Sequence, residues 1–155
     1  MRAYLLDQPT RTFGAEQLRE FGVLHERLPV TARETEMARI KSHYGYRDQD
    51  EVSLSTDMPN LEEICAKFDK EHCHTLDEVR FVVDGEGIFD VRDRSDQWVR
   101  IVVEPGDLII IPARMYHRFF LTEAKKIRCV RLFLNHEGWT PLYRDSAVVP
   151  LSSRP

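Results

Sequence analysis

EHCHTLDEVRFVVDGEGIFDVRD, running from Glu71 to Asp93, is where the hydrophobic period of this chain changes. After two histidines the run VRFVV is rich in β-branched and aromatic residues, and DGEG separates it from a second run, IFDV. Short runs of this composition, divided by Gly and Asp, read as strands joined by turns. The pattern continues toward the C-terminus. WVRIVVE, DLIII, YHRFFL and IRCVRLFL follow, separated by RDRSDQ, EPGD, PA and TEAKK. Each separator has turn chemistry. Strands at this spacing predict a mainly β fold, an antiparallel sandwich or small barrel, and argue against a parallel sheet.

Upstream of the histidines the period is helical. AEQLREFG, Ala15 to Gly22, predicts a short helix closed by glycine. Thr31 and Glu34 have capping-box spacing at the head of TARETEMARIKSHYGY, which should end near Gly45. A third helix has Asn60 as its cap, Glu63 three residues on, and an apolar stripe of Leu61, Ile64, Cys65 and Phe68. The expected organisation is one domain over residues 1–155. A helical, irregular section (1–71) packs on a barrel core (72–145), and a tail (146–155) ending in LSSRP reads as disordered.

Composition narrows the function classes. A chain of 155 residues can bury a core without staples. The net charge of −4 argues against nonspecific nucleic-acid binding. With no run of 18 apolar residues and no basic-then-apolar start, neither a membrane span nor a secretory signal is expected. Cys65, Cys73 and Cys129 are odd in number and widely spaced, which suggests a reducing compartment and no disulfide framework.

Two of only six histidines, His72 and His74, stand one residue apart, with Glu78 four residues later. If residues 72–78 are extended, all three share one face, although Leu76 shares that parity and requires a kink. Two imidazoles and a carboxylate make a ligand set for a first-row divalent metal. A surface or hydrogen-bonded core histidine is the plain alternative, and this segment alone does not choose. EPGDLIIIPARMYHRF supplies a further candidate, His117, which a barrel folding back on itself could bring to the other three. Three His and one Glu fill four positions of an octahedron and leave two adjacent ones open, with a net charge of about +1 around a divalent ion. That suits a bidentate anionic oxygen ligand better than a closed structural zinc site does.

HCHTLDEVRFVVDG resembles the first cupin motif from its histidines onward, through Glu78 and Gly85, with Ala66 where a glycine often stands. GDLIIIPARMYH resembles the second, with Gly106, Pro112 and His117 in register, Arg114 in place of the usual glycine and Leu121 in place of the usual asparagine. The long run through EHCHTLDEVRFVVDGEGIFDVRDRSDQWVRI, with PGDLIIIPARMYHRFFL and VRLFLNHEGWTPLYR, is similar to the acireductone dioxygenases of methionine salvage. LREFGVL and MPNLEEICAKFDKEHCH fit as well, so the resemblance covers residues 1–145.

The resemblance implies a cupin double-stranded β-helix, or jelly roll, with one Fe(2+) or Ni(2+) held by His72, His74, Glu78 and His117. It implies 1,2-dihydroxy-5-(methylthio)pent-1-en-3-one and O₂ as substrates. The iron form would yield formate and 4-methylthio-2-oxobutanoate, and the nickel form 3-methylthiopropanoate, formate and CO. A cytoplasmic location, extended to the nucleus in a eukaryote, comes with it.

Arg80 keeps the parity of Glu78, so its guanidinium can face the cavity as a catalytic and substrate-binding group, with a surface pair to Glu86 or Asp90 as the alternative. Arg131, Phe68, Phe119 and Trp139 fall at positions resembling substrate-pocket residues, although each is the kind of residue that also serves as core. Phe68 is expected in the core through its helical stripe. His25, His43 and His136 read as surface residues, Asp77 as solvated or a turn acceptor, and Cys73 as pointing away from the metal. Arg114 is the discordant position, because an L-residue with a side chain adopts positive φ only at a cost. The same ligands would also serve a cupin dioxygenase or isomerase of another small anion, or a metal-binding module without catalysis. Turnover of the enediol separates the first reading from both.

Overall fold

A computed structural model describes residues 1–135 and 140–144; the expected tail, His136 and Trp139 lie outside them. Twelve strands and three helices are described. The six runs read as strands are all present: β6 (Glu78–Gly85), β7 (Gly87–Arg92), β8 (Trp98–Val103), β9 (Asp107–Ile111), β10 (His117–Leu121) and β11 (Ile127–Phe133). The three helices are α1 (Ala15–Glu20), α2 (Arg33–Tyr44) and α3 (Leu61–Phe68).

The first 71 residues depart from the helical, irregular expectation, because they also contribute four strands. β1 (Arg2–Leu5), β2 (Gln8–Thr12), β3 (Leu24–Arg27) and β4 (Asp48–Leu54) all join the sheets. β5 (His72–Cys73) and β12 (Leu142–Tyr143) are two residues each. The order β12-β5-β10-β7-β8-β1-β2 forms one sheet and β3-β9-β6-β11-β4 the other. Every recorded pairing is antiparallel. Two facing antiparallel sheets of this kind form the cupin jelly roll.

Alternation along β6 explains the layers. Val82 points between the sheets, where it joins Phe89, Val91, Val99, Ile101 and Ile109 in the interior cluster. Val79, Phe81 and Val83 point the other way and pack with Met37 and Ile40 of α2. The continuous run VRFVV therefore marks a strand covered on both faces.

Helix ends show where local signals were overridden. α2 begins at Arg33 after a 3₁₀ turn at Val30–Ala32, and its cap residue is Ala32, so the Thr31–Glu34 capping box does not form. Its C-terminal end is as expected, with Gly45 left-handed at φ 81°. α3 starts after Asn60, but the asparagine side chain makes no cap bond. None of the α3 stripe is fully buried. Ile64 and Phe68 face a cavity rather than the core, which corrects the reading of Phe68 as a core residue.

Candidate metal centre

The chain reaches the site by changing sheets. His72 lies on β5 in the seven-stranded sheet, the backbone bends at Thr75 and Leu76, and Glu78 opens β6 in the other sheet. The shared-parity argument for residues 72–78 is thus replaced by a bend. Its conclusion survives because the two sheets face each other. His117 opens β10 directly opposite His72 across the ladder, an antiparallel pairing that puts both imidazoles in one place.

Ligand atoms of His72, His74 and His117 all lie within 4.8 Å of one another. Oε1 of Glu78 is 3.8 Å from Nε2 of His74, and its Oε2 is 2.9 Å from Nε2 of His117. The histidines are 1%, 7% and 2% exposed in chain order, and so are shut off from water.

Backbone carbonyls fix the direction of each ring. Nδ1 of His72 donates to the carbonyl of Lys70 at 2.6 Å, that of His117 to Met115 at 2.9 Å, and that of His74 to Thr140 at 3.3 Å. A carbonyl only accepts, so each Nδ1 carries the proton and each Nε2 presents a lone pair. Nε2 of His74 and of His117 are buried without a hydrogen-bond partner. A buried lone pair set 2.9 Å from a carboxylate oxygen is two acceptors in contact, an arrangement that calls for a cation between them. The donor set therefore fits a divalent metal.

Electrostatics keeps the donors in ligating form. Burial, and then the neighbouring His117, holds His72 down at about 4, and burial lowers His74 in the same direction. Burial alone would raise Glu78, but the Arg80 guanidinium beside it outweighs that and holds the carboxyl well below the usual range.

A cavity of about 320 Å³ opens beside these groups. Glu78, His72, Arg80 and Arg131 line its polar end, while Phe68, Phe119, Phe89, Ile127, Leu54 and Met58 make an apolar wall. Arg80 faces this space, donating from Nη2 to Glu78 at 2.8 Å and from Nη1 to the Val79 carbonyl at 3.0 Å. Neither Glu86 nor Asp90 is its partner: Glu86 accepts from Thr122, and Asp90 binds Arg100 and Arg118. Arg131 sits opposite Arg80 across the β6–β11 ladder and is braced by Asp50 through bonds of 2.7 and 2.5 Å. Burial pushes the Cys129 thiol in the cavity wall up to about 12, so it stays protonated.

Of the expected site residues, His72, His74, Glu78, His117, Arg80, Arg131, Phe68 and Phe119 come together, and Trp139 is outside the described residues. The carbonyls of Lys70, Met115 and Thr140 had no signal in the sequence, because every residue carries one. Asp50 was equally hidden, since one acid in a polar run announces nothing. Asp77, read as solvated or a turn acceptor, instead ties distant segments together, accepting from Tyr46 Oη and the Ala113 amide at 2.9 Å each. His25 differs from the surface reading: its side chain is 9% exposed and its Nε2 meets Asp107 at 2.7 Å. Arg114 adopts φ 68° in the loop before His117, and its amide donates to the His74 carbonyl at 2.8 Å. That bond ties the loop before His117 to the loop that carries His74.

Family models match residues 6–141 to the ARD/ARD′ family. The acireductone dioxygenase of Heterostelium pallidum is 42% identical over 144 residues, covering 93% of this chain and 98% of that protein. The Rattus norvegicus acireductone dioxygenase is 41% identical over 142 residues, covering 90% and 79%. A solved acireductone dioxygenase from Bacillus anthracis, with a cadmium ion in its active center, superposes with a TM-score of 0.87 at 32% identity, covering 92% of this chain and 97% of that one. Taken with the buried ligand cluster, these matches show that the chain belongs to the acireductone dioxygenase family and is a metal-dependent dioxygenase.

Proposed function

We propose that His72, His74, Glu78 and His117 hold one Fe(2+) or Ni(2+), and that the cavity takes 1,2-dihydroxy-5-(methylthio)pent-1-en-3-one for cleavage by O₂. The observation that carries this reading is the pair of buried, unpartnered imidazole lone pairs beside Glu78, which itself lines the polar end of a largely apolar cavity. When bound, the divalent ion would supply Lewis acidity and a template for a bidentate enediolate.

The chain's own groups do the rest. The carbonyls of Lys70, Met115 and Thr140 hold the imidazoles in the tautomer that ligates. Arg80 keeps Glu78 ionised and turns remaining N–H groups toward the cavity, where they stabilise an anionic substrate oxygen. Phe68 and Phe119 pack the methylthio tail and keep water from the reacting carbons. Arg131, fixed by Asp50, adds positive potential without moving. Trp139 completes the proposed substrate contacts.

With iron the expected products are formate and 4-methylthio-2-oxobutanoate; with nickel they are 3-methylthiopropanoate, formate and CO. The proposed place of action is the cytoplasm, and the nucleus as well in a eukaryote. Among the described residues no helix is long and apolar enough to cross a membrane. Product analysis under air tests the whole reading, using protein reloaded separately with each metal and His117→Ala as the blank. Keto acid from the iron form and CO from the nickel form are expected. No turnover above the blank with metal bound would overturn it.

A further inference from the structure

Gly87 opens β7 and is buried, on the same face of the strand as Phe89. Its backbone does not explain the glycine. Positive φ occurs at Gly22, Gly45, Gly85 and Gly106, but not here. Space explains it. A Cβ at position 87 would lie 2.7 Å from Cε2 and 3.0 Å from Cζ of Phe119, and 2.8 Å from Cδ1 of Ile127. All three distances are well inside ordinary carbon contact.

The two groups that a methyl would strike are both cavity wall. Phe119 cannot retreat along the sheet, since Phe89 stands beside it with ring centroids 5.0 Å apart. Gly87 does not itself line the cavity and sits behind that wall, so a side chain there drives Phe119 and Ile127 into the lumen. Gly85, two residues earlier, is a different case. A Cβ there would meet the Lys126 carbonyl oxygen at 2.2 Å and the residue has φ 73°, so that glycine serves the turn.

We propose that Gly87 is a specificity-determining residue: its absent side chain seats Phe119 and sets how long an apolar tail the cavity accepts. This rests on the reading above that the apolar wall receives the substrate's tail. The missing methyl acts at second hand, through the ring and the isoleucine, and leaves the metal end untouched.

The test compares kcat and KM on two acireductones, one with the methylthioethyl tail and one with that tail cut to a methyl group. Gly87→Ala should lose about tenfold or more in kcat/KM on the long substrate, chiefly through KM, and less than about threefold on the short one. Ile127→Ala, which removes wall from the other side, should move the preference toward longer tails and also restore long-tail KM in the Gly87→Ala background. Equal losses on both substrates, or no loss on either, would overturn the proposal, and so would a double variant that stays as impaired as Gly87→Ala. If the wild-type protein turns over neither substrate, the dioxygenase reading of the cavity fails first and this proposal falls with it.

Discussion

The two faces of β6 meet opposite environments. Inward, Glu78 and Arg80 meet imidazoles and a cavity; outward, Val79, Phe81 and Val83 meet α2 in an apolar layer. One strand thus serves a site that holds charge out of water and a core that holds none. Buried charge is costly unless paired, so the inward face depends on its partners. The outward face supplies stability of the ordinary apolar kind, roughly 1.5–3 kcal/mol per large side chain. The division lets the chemistry be altered without unfolding the sheet that carries it.

That contrast can be broken by mutation. His117→Ala should lower metal affinity by more than about 100-fold, judged by metal content after dialysis, because even outer-shell changes cost 10–100-fold. The fold should survive, and a melt lower than wild-type apo-protein would show that the inward face is structural after all. Phe81→Ala should do the reverse, costing about 3–5 kcal/mol in chemical denaturation while the folded protein keeps its metal affinity. A parallel fall in affinity would mean that the two faces are coupled through β6.

Between pH 7 and 4, acid should act on the inward face through its histidines. His72 is held near 4 in the fold against an ordinary value of 6.5. Between those values the unfolded chain binds a proton that the folded one does not. Its contribution is therefore fully present above about pH 6.5 and is lost as pH falls toward 4, by about 3 kcal/mol in apo-protein. Lowered His74 and Glu78 act in the same direction. Denaturation midpoints of the apo-protein from pH 7 to 4 check this, and His72→Gln should flatten the slope.

The smallest expected effect is at Arg114. A non-glycine residue at φ 68° carries a strain of ~1–2 kcal/mol, partly offset by the unfolded-state entropy that glycine adds. Arg114→Gly should gain up to about 1 kcal/mol with metal affinity unchanged. A loss of substrate affinity alone would give the guanidinium a role at the cavity.

What could be read in advance follows burial. The central strands β6 to β11 carry apolar runs because both neighbours and at least one face cover them. The overlooked strands are mostly edges: β2 and β12 end one sheet, β3 and β4 the other. β2 is exposed along its whole length and β4 along every second residue, so neither writes an apolar pattern. β1 alternates only through Ala3 and Leu5, too briefly to stand out. The α3 stripe was visible, but an apolar stripe looks the same whether it meets a core or a substrate cavity.

The proposed ligand set was legible for a related reason. Metal chemistry restricts which side chains serve, and His72, His74, Glu78 and His117 stand out by type and by motif. Local sequence determined the central strands β6 to β11, the existence of the three helices, and the candidate donors. Tertiary structure decided the bend that moves Glu78 to the facing sheet, the pairing of His117 with His72, the carbonyls that aim each ring, and the Asp50 brace on Arg131. Those relations join residues up to 81 positions apart, and backbone groups that every residue shares. Side-chain type reports what a residue can do; only the closed barrel brings its partners within reach.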